Sequence, residues 1–273
     1  MYTAFMSYRR NVMANDNIDF KKLRKKCFSH KNYELDDGLK SYVEKFFSME
    51  KQYSLFLKPI MHYTQIYLFE YMCEFIQRWF NKKENDIKIM DWGCGNGYNS
   101  FLCKQRGFDV IACDVSGRLA SRAPVIKSYG INCLPLEHPY ILPFQDNSFD
   151  VLINCGVLEH VPNDTESLKE IHRVLKPNGL LFTFFLPYKY SWRQNITKFI
   201  GAYHHERMYT NRHVTNIMEN SGFKIIDRWF RDLIPLRSHN PYFRTMEKLD
   251  NFFCGIIPIK FFASNIEFAA YKP

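Results

Sequence analysis

Residues Ile87 to Ser100 read IKIMDWGCGNGYNS, and this stretch decides the fold of the chain. A short apolar run ends in an acid, Asp91, and three glycines then alternate with other residues at Gly93, Gly95 and Gly97. Residues suited to a helix follow. The pattern predicts a buried parallel strand that turns sharply into a helix. Glycines at such a turn allow positive φ angles and let a ligand lie directly against the main chain.

The sequence on both sides of this turn alternates between strand and helix patterns. Strands are predicted at residues 87–91, 109–113, 131–135, 149–154, 179–186, 223–230 and 265–271. Helices are predicted at about 38–58, 60–80, 97–106, 117–128, 164–175 and 210–221. This order predicts an α/β fold, a Rossmann-like and mostly parallel seven-stranded sheet with flanking helices, whose ligands bind at the carboxyl ends of the strands.

The chain divides into a basic N-terminal leader, residues 1–37, and one domain, residues 38–273. The domain comprises N-terminal helices (38–86), a core (87–232), an insertion that covers the core (233–264) and the last strand (265–273). The net charge is +9, and residues 1–31 carry eight basic side chains against two acidic ones. We interpret the leader as a solvated terminus. The alternative is contact with nucleic acid, anionic lipid or an acidic partner.

The composition is that of a globular protein, with 46% hydrophobic and 24% charged residues among 273, which excludes wholesale disorder. No run of 18 apolar residues occurs in the sequence, so we expect a soluble, cytoplasmic protein. The eight cysteines form no CxxC pairs. We therefore predict buried free thiols rather than disulfides or a zinc site.

Two kinds of ligand compete for the glycine turn. A dinucleotide fold requires the spacing G-x-G-x-x-G, but Tyr98 occupies the position of its last glycine. Asp114, at the end of the second strand, suits the hydroxyls of a ribose in either case. Asp91 distinguishes between the two kinds of ligand, because a carboxylate there would repel a pyrophosphate and attract an amino group. S-Adenosylmethionine combines a ribose, an adenine and a cationic amino acid tail, so it fits these demands.

Five sequence blocks in order strengthen this interpretation. They read DWGCGNG (91–97), CDV (113–115), LPFQDNSFDVL (142–152), VLEHVP (157–162) and HRVLKPNGLL (172–181). Together they resemble the class I S-adenosylmethionine-dependent methyltransferases. The resemblance covers about residues 60–230 and is closest to the small-molecule branch that includes quinone-biosynthesis and surface-glycan-cluster enzymes.

The resemblance implies a set of cofactor contacts. The methionine end of the cofactor is assigned to Asp91, Gly93, Cys94 and Gly95. Asp114 would accept both ribose hydroxyls, Val115 would lie against the adenine, and Asn154 and Cys155 would line the cofactor. Similar proteins carry Asp-Ala where this chain has His138-Pro139. The adenine amino group is therefore assigned to Glu137 or to a backbone carbonyl.

Methyl transfer to a hydroxyl also requires a group that removes the proton. The catalytic candidates are His160, which follows the fourth strand, and His205, in the long connection between residues 188 and 210. Each could instead have a structural role, as a histidine bonded to backbone. Long connections are often lids or binding loops. This one also contains Glu206, Arg207 and Tyr209, and its aromatic and basic residues, including Tyr190, Trp192, Arg193 and Tyr203, are candidates to stack on or clamp an acceptor. We predict no metal, because His204, His205 and Glu206 are consecutive and point apart.

The predicted function is methyl transfer to a small or lipid-linked acceptor, most simply a sugar hydroxyl in surface-polysaccharide biosynthesis. This acceptor rests on a diffuse likeness of the C-terminal third to glycan-cluster enzymes. The alternatives are a quinone or natural-product methyltransferase, an RNA methyltransferase and a non-catalytic S-adenosylmethionine-binding module. We expect no nucleic acid partner, and the oligomeric state stays open. The insertion at 233–264 either buries its aromatic residues or makes a peripheral contact with a membrane.

Overall fold

The computed structural model of the protein describes residues 18–29, 60–138, 140–201, 205–234 and 243–273. Within these ranges one sheet contains seven strands: β1 Lys88–Trp92, β2 Asp109–Val115, β3 Asn132–Leu136, β4 Phe149–Cys155, β5 Leu175–Pro187, β6 Lys224–Arg231 and β7 Asn265–Tyr271. Their order across the sheet is β3-β2-β1-β4-β5-β7-β6. Only β7 among them runs antiparallel to its neighbours. The predicted mostly parallel seven-stranded sheet is confirmed.

Helices cover both faces of this sheet. Those that the described ranges contain are α1 Phe20–Ser29, α2 Ile60–Phe80, α3 Tyr98–Gln105, α4 Ser116–Ser128, α5 Asp164–Val174, α6 Trp192–Phe199, α7 Asn211–Asn220 and α8 Phe243–Phe253. One apolar core lies between the sheet and α1 to α4, and a second lies between the opposite face and α5 and α7. Because the central strands are buried on both faces, their sequences are nearly continuous apolar runs, which is the pattern of a parallel sheet.

The N-terminal region is more than a solvated leader. Helix α1 packs against the core through Phe20, Leu23 and Cys27, all of which are buried. Its Arg24 Nε donates to the buried Asp227 Oδ2 at 2.8 Å. The expectation of a solvated terminus is therefore wrong for residues 20–29. The lysines of α1 lie on its exposed face, as expected for an amphipathic helix.

Other predicted boundaries shift for local reasons. β5 begins at Leu175 rather than at 179, because Leu175 pairs with Phe149 before the strand bulges at residues 176–179 and pairs again from Leu180. Helix α6 lies within the connection between residues 188 and 210, where the sequence predicts no helix. The helix predicted at 38–58 lies outside the described residues.

The insertion at 233–264 is only partly buried. Its helix α8 is followed by a 3₁₀ turn at Ile259–Phe262. Asp250 and Cys254 are buried, whereas Phe252 is exposed. Burial of the aromatic residues is thus wrong for part of the segment. No helix in the described ranges is both long and apolar enough to cross a membrane.

Candidate active site

A cavity of about 620 Å³ opens at the carboxyl ends of β1, β2 and β4. Three segments line it, residues 93–99, 114–122 and 155–162, together with Glu206. Its volume is within the range of about 300–1,000 Å³ that is usual for small-ligand sites. Its position is the one predicted from the parallel sheet.

The glycine turn forms the floor of this cavity. Gly93, Gly95 and Gly97 all have positive φ angles, of 68°, 54° and 73°. A Cβ atom at Gly93 would collide with the side chain of Val157. Asp114 fastens the turn to β2, because its Oδ2 accepts a hydrogen bond from Gly95 N at 2.9 Å. The turn therefore presents bare backbone to a ligand, beside a fixed carboxylate.

Asp91 lies beneath the turn rather than on the cavity wall. Its Oδ2 accepts hydrogen bonds from Ser100 N at 3.1 Å and from Ser100 Oγ. Its Oδ1 has no hydrogen-bond partner among the described residues. Burial raises the pKa of this carboxyl to about 6, against the lowering effect of the Ser100 hydrogen bonds. In this structure Asp91 secures the first turn of α3.

The predicted cofactor residues divide into two groups. Six lie on the cavity wall: Gly93, Cys94, Gly95, Asp114, Val115 and Cys155. Asn154 does not, because neighbouring strand residues point to opposite faces, and its buried amide has no hydrogen-bond partner within the described chain. Glu137 is also off the wall. It is exposed and accepts a hydrogen bond from Ser116 Oγ at 3.1 Å.

The two predicted catalytic histidines lie together. Their rings stack with centroids 5.6 Å apart, and His160 lines the cavity. Between them lies the buried Glu159, whose Oε1 is 3.9 Å from His160 Nε2 and 3.7 Å from His205 Nδ1. Burial, with a smaller effect of Arg118, lowers the pKa of His160. Burial raises the pKa of Glu159 to about 7.

Arg207 and Tyr209 bring this cluster together rather than facing the cavity. Arg207 donates to the carbonyl oxygens of Leu158 and Val161 at 3.3 and 3.2 Å, and the Tyr209 hydroxyl donates to the same Leu158 oxygen at 3.0 Å. These bonds tie the connection after β5 to the loop after β4. The Tyr209 hydroxyl also contacts Asp164 Oδ2 at 3.1 Å. Of the residues predicted to clamp an acceptor, Tyr190, Trp192 and Arg193 do not line the described cavity wall, and Tyr203 lies outside the described residues. His204 lies outside the described residues.

Sequence reasoning missed several polar groups of the site, among them Asn96 and Asn99 on the cavity wall. Arg118 and Arg122 project from successive turns of α4 into the cavity, and their spacing of four residues was a readable signal. Glu159 stands next to a predicted residue, but its role depends on His205, far away in sequence. No local spacing reveals such a pair.

The wall residues fit S-adenosylmethionine. Asp114 offers carboxylate oxygens for a ribose, and Val115 beside it presents an apolar side chain that is 47% exposed. The glycine turn leaves room for a tail that lies against the backbone. Of the basic groups on the described cavity wall, Arg122 comes near the glycines, because its Nη1 would lie 3.9 Å from a Cβ at Gly95.

Comparisons with known proteins agree with this geometry. The family described as methyltransferase domain matches residues 64–228. An uncharacterized protein of Methanocaldococcus jannaschii is 36% identical over 46% of this chain and 52% of its own length. The ubiquinone biosynthesis O-methyltransferase of Rickettsia akari is 26% identical over 44% of this chain and 49% of its own. The chain thus spans about half the length of these curated relatives.

Solved structures support the fold. A putative sarcosine dimethylglycine methyltransferase from Galdieria sulphuraria superposes with a TM-score of 0.58 at 15% identity, covering 85% of this chain and 98% of that one. A putative methyltransferase from Bacillus halodurans gives 0.52 at 16% identity, covering 74% and 98%. The family model spans more than half of the chain, so the resemblance seen in the sequence is confirmed. This protein belongs to the methyltransferase domain family.

Proposed function

We propose that the protein is a methyltransferase that acts on a hydroxyl of a small or lipid-linked acceptor, a saccharide of surface-polysaccharide biosynthesis. The observation that supports this most is that charged and polar side chains reach the cavity. Arg118, Arg122, His160 and Glu206 all line it. Such groups suit an acceptor rich in hydroxyls, since each can donate or accept hydrogen bonds to it.

The cofactor end of the cavity positions the reaction. S-Adenosylmethionine, when bound, supplies a methyl group on a positively charged sulfur. Asp114 would hold the ribose, Val115 the adenine and the turn at 93–97 the amino acid tail. Much of the rate enhancement can come from fixing the acceptor oxygen in line with the methyl group in a shielded site.

We assign the removal of the proton from the acceptor hydroxyl to the cluster of Glu159, His160 and His205. Burial lowers the pKa of His160, which favours the neutral imidazole that can accept a proton. His160, which lines the cavity, and His205 are therefore our candidates for the base in protein that holds no metal ion.

A quinol acceptor is the second candidate. It is favoured by relatives, among them the Rickettsia akari protein and the 2-methyl-6-phytyl-1,4-hydroquinone methyltransferase of Synechocystis, which is 33% identical over 34% of this chain. A phenolic hydroxyl is more acidic than a sugar hydroxyl and needs a weaker base. Against it, the charged mouth of the cavity would have to lose water to admit an apolar tail.

Access to a lipid-linked acceptor is supported by helix α6. Ile196 and Phe199 on this helix, and Ile200 directly after it, are strongly exposed, Phe199 by 91%. Arg193 and Lys198 are exposed beside them. An apolar face flanked by basic residues is the pattern of a helix that lies at a membrane surface.

The test is a direct competition between acceptor classes. Purified protein with methyl-labelled S-adenosylmethionine is offered either a lipid-linked oligosaccharide or a demethylated quinol, each in detergent micelles. We expect label in the saccharide. Label in the quinol alone would refute the saccharide proposal, and the His213→Gln variant, altered at a histidine away from the cavity wall, serves as the activity control.

A further inference from the structure

We propose that Glu159, His160 and His205 form a binding site for a divalent first-row transition-metal ion at the mouth of the cavity. One ligand atom from each residue can be chosen so that all three lie within 4.8 Å of one another. The inference deepens the proposed function, on which its catalytic role rests, but the binding of the ion does not depend on the acceptor.

The spacing of the ligand atoms suits one ion. Glu159 Oε1 lies 3.9 Å from His160 Nε2 and 3.7 Å from His205 Nδ1. Atoms that share a metal at about 2.0–2.2 Å must lie within roughly 4 Å of one another. The carboxylate thus already stands near the distance that it would keep from each imidazole around a common ion.

The carboxylate of Glu159 lacks the partners that a buried group normally has. The residue is 1% exposed, and its Oε2 receives no hydrogen bond from any described residue. Leaving a buried carboxylate oxygen without a partner costs free energy. A cation bound by this side chain and the two histidines would compensate for that cost.

The site is open toward the cavity. Gly156 lines the cavity, and a Cβ atom added there would lie 3.6 Å from Glu159 Oε1. The absence of a side chain at Gly156 leaves a path from the carboxylate to the acceptor. Two imidazoles and one carboxylate also leave coordination positions unfilled, as in catalytic zinc and non-haem iron sites.

The backbone around the site is held in place. Arg207 and Tyr209 both donate to the carbonyl oxygen of Leu158, the residue before Glu159. They lie just after His205 in sequence, so the two segments that carry the ligands are fixed to each other. A preorganised set of ligands loses little conformational entropy when the ion binds.

An ion at this position would act on the acceptor as a Lewis acid. It would bind the hydroxyl oxygen and lower its pKa, so that the proton passes to solvent. The oxygen then forms its bond to the methyl carbon as the carbon–sulfur bond breaks, and the electron pair of that bond stays on sulfur. In this arrangement His160 and His205 are ligands rather than bases.

Cobalt(II) is the probe that tests the site. Full-length protein, dialysed against chelator, is titrated with Co²⁺ and followed by visible d–d absorption and by calorimetry. We expect one ion per chain with bands of a nitrogen and oxygen site, displaced by Zn²⁺. We expect no thiolate charge-transfer band, which would report binding at a cysteine such as Cys155.

Two variants and one control locate the ion. Loss even of groups that only support a ligand weakens metal affinity about 10- to 100-fold, so we expect Glu159→Gln and His205→Gln each to weaken Co²⁺ binding at least about tenfold. The control is His213→Gln, because His213 also faces a carboxylate, Asp164, at 4.0 Å, but these two residues belong to no three-ligand group in the part of the chain that the structure describes. It should bind as the wild type does. Glu159→Gln is nearly isosteric, and His205 is partly exposed, so both should fold, as circular dichroism would verify.

The proposal is overturned if the wild type binds no Co²⁺, if both variants bind it unchanged, or if the spectrum shows thiolate ligands alone. Its failure is distinguishable from that of the proposed function. Metal binding that depends on Glu159 and His205, with no methylation of the saccharide, would leave the site standing and refute the acceptor. Methylation of the saccharide without metal binding would refute the metal site and leave the saccharide acceptor standing.

Discussion

Replacing Asp114 by asparagine tests the cofactor corner most directly. Asp114 Oδ2 accepts a hydrogen bond from Gly95 N at 2.9 Å, and its Oδ1 accepts one from Val115 N at 2.8 Å. An amide keeps one acceptor oxygen but turns an NH₂ group toward the other backbone donor. The variant loses both a charged hydrogen bond to the glycine turn and the charge that would receive the ribose hydroxyls.

The expected effect follows from the strength of that bond. A hydrogen bond to a charged group contributes about 1.5–3 kcal/mol, and about 1.4 kcal/mol changes an equilibrium constant tenfold. The affinity for S-adenosylmethionine should therefore fall roughly 10- to 150-fold in Asp114→Asn. Calorimetric titration of the purified variant with the cofactor measures it.

The matched control is Asp109→Asn, at the opposite and exposed end of the same strand. It removes the same charge from β2 without touching the cavity, so its cofactor affinity should equal that of the wild type. An Asp114→Asn protein that is folded by circular dichroism and binds the cofactor within about twofold of the wild type would refute the assignment, since the loss of even one charged hydrogen bond predicts about tenfold.

Three further predictions concern other parts of the molecule. Arg24→Ala removes the guanidinium that pairs with the fully buried Asp227 carboxylate and leaves the hydrogen bond from the Tyr71 hydroxyl. The free energy of unfolding in urea should fall by about 3–5 kcal/mol, and a loss below about 1 kcal/mol would contradict this. Burial raises the pKa of Glu267 from 4.5 to about 7, so the native state binds its proton more tightly. The free energy of unfolding should fall as pH rises through this interval, and Glu267→Gln should flatten that slope in urea titrations at several pH values. Phe199→Ser should weaken sedimentation with anionic vesicles and leave cofactor affinity unchanged; equal sedimentation would exclude α6 as the membrane contact.

The strands and the glycine turn could be predicted because their determinants are local. The run of apolar residues before Asp91 and the spacing of Gly93, Gly95 and Gly97 specify a strand and a sharp turn without reference to the rest of the chain. The end of the second strand then had to lie beside the turn, which placed Asp114 correctly. Adjacent parallel strands end at one edge, so neighbouring motifs meet there.

The predictions were wrong where the placement of a residue depends on the direction of its side chain or on a partner far away in the sequence. Asn154 was predicted on the cavity wall, but strand alternation places Cys155 there instead. Helix α1 was interpreted as solvated because its lysines dominate its composition, whereas its role depends on Phe20 and Arg24 meeting α2 and β6. Composition describes the exposed face of such a helix and not the face that packs.

The same contrast separates the two ends of the cavity. The cofactor end is built within one continuous stretch and the strand beside it, so changes there should alter cofactor affinity first. The acceptor end depends on Arg207 and Tyr209 holding His205 against Glu159 and His160. Arg207→Lys cannot span the same carbonyl oxygens, since lysine lacks the planar fork of donors. It should therefore lower turnover and weaken Co²⁺ binding while cofactor affinity stays near that of the wild type. If cofactor affinity fell in parallel with turnover, the two ends would form one cooperative unit, and the acceptor could not be changed independently of the cofactor site.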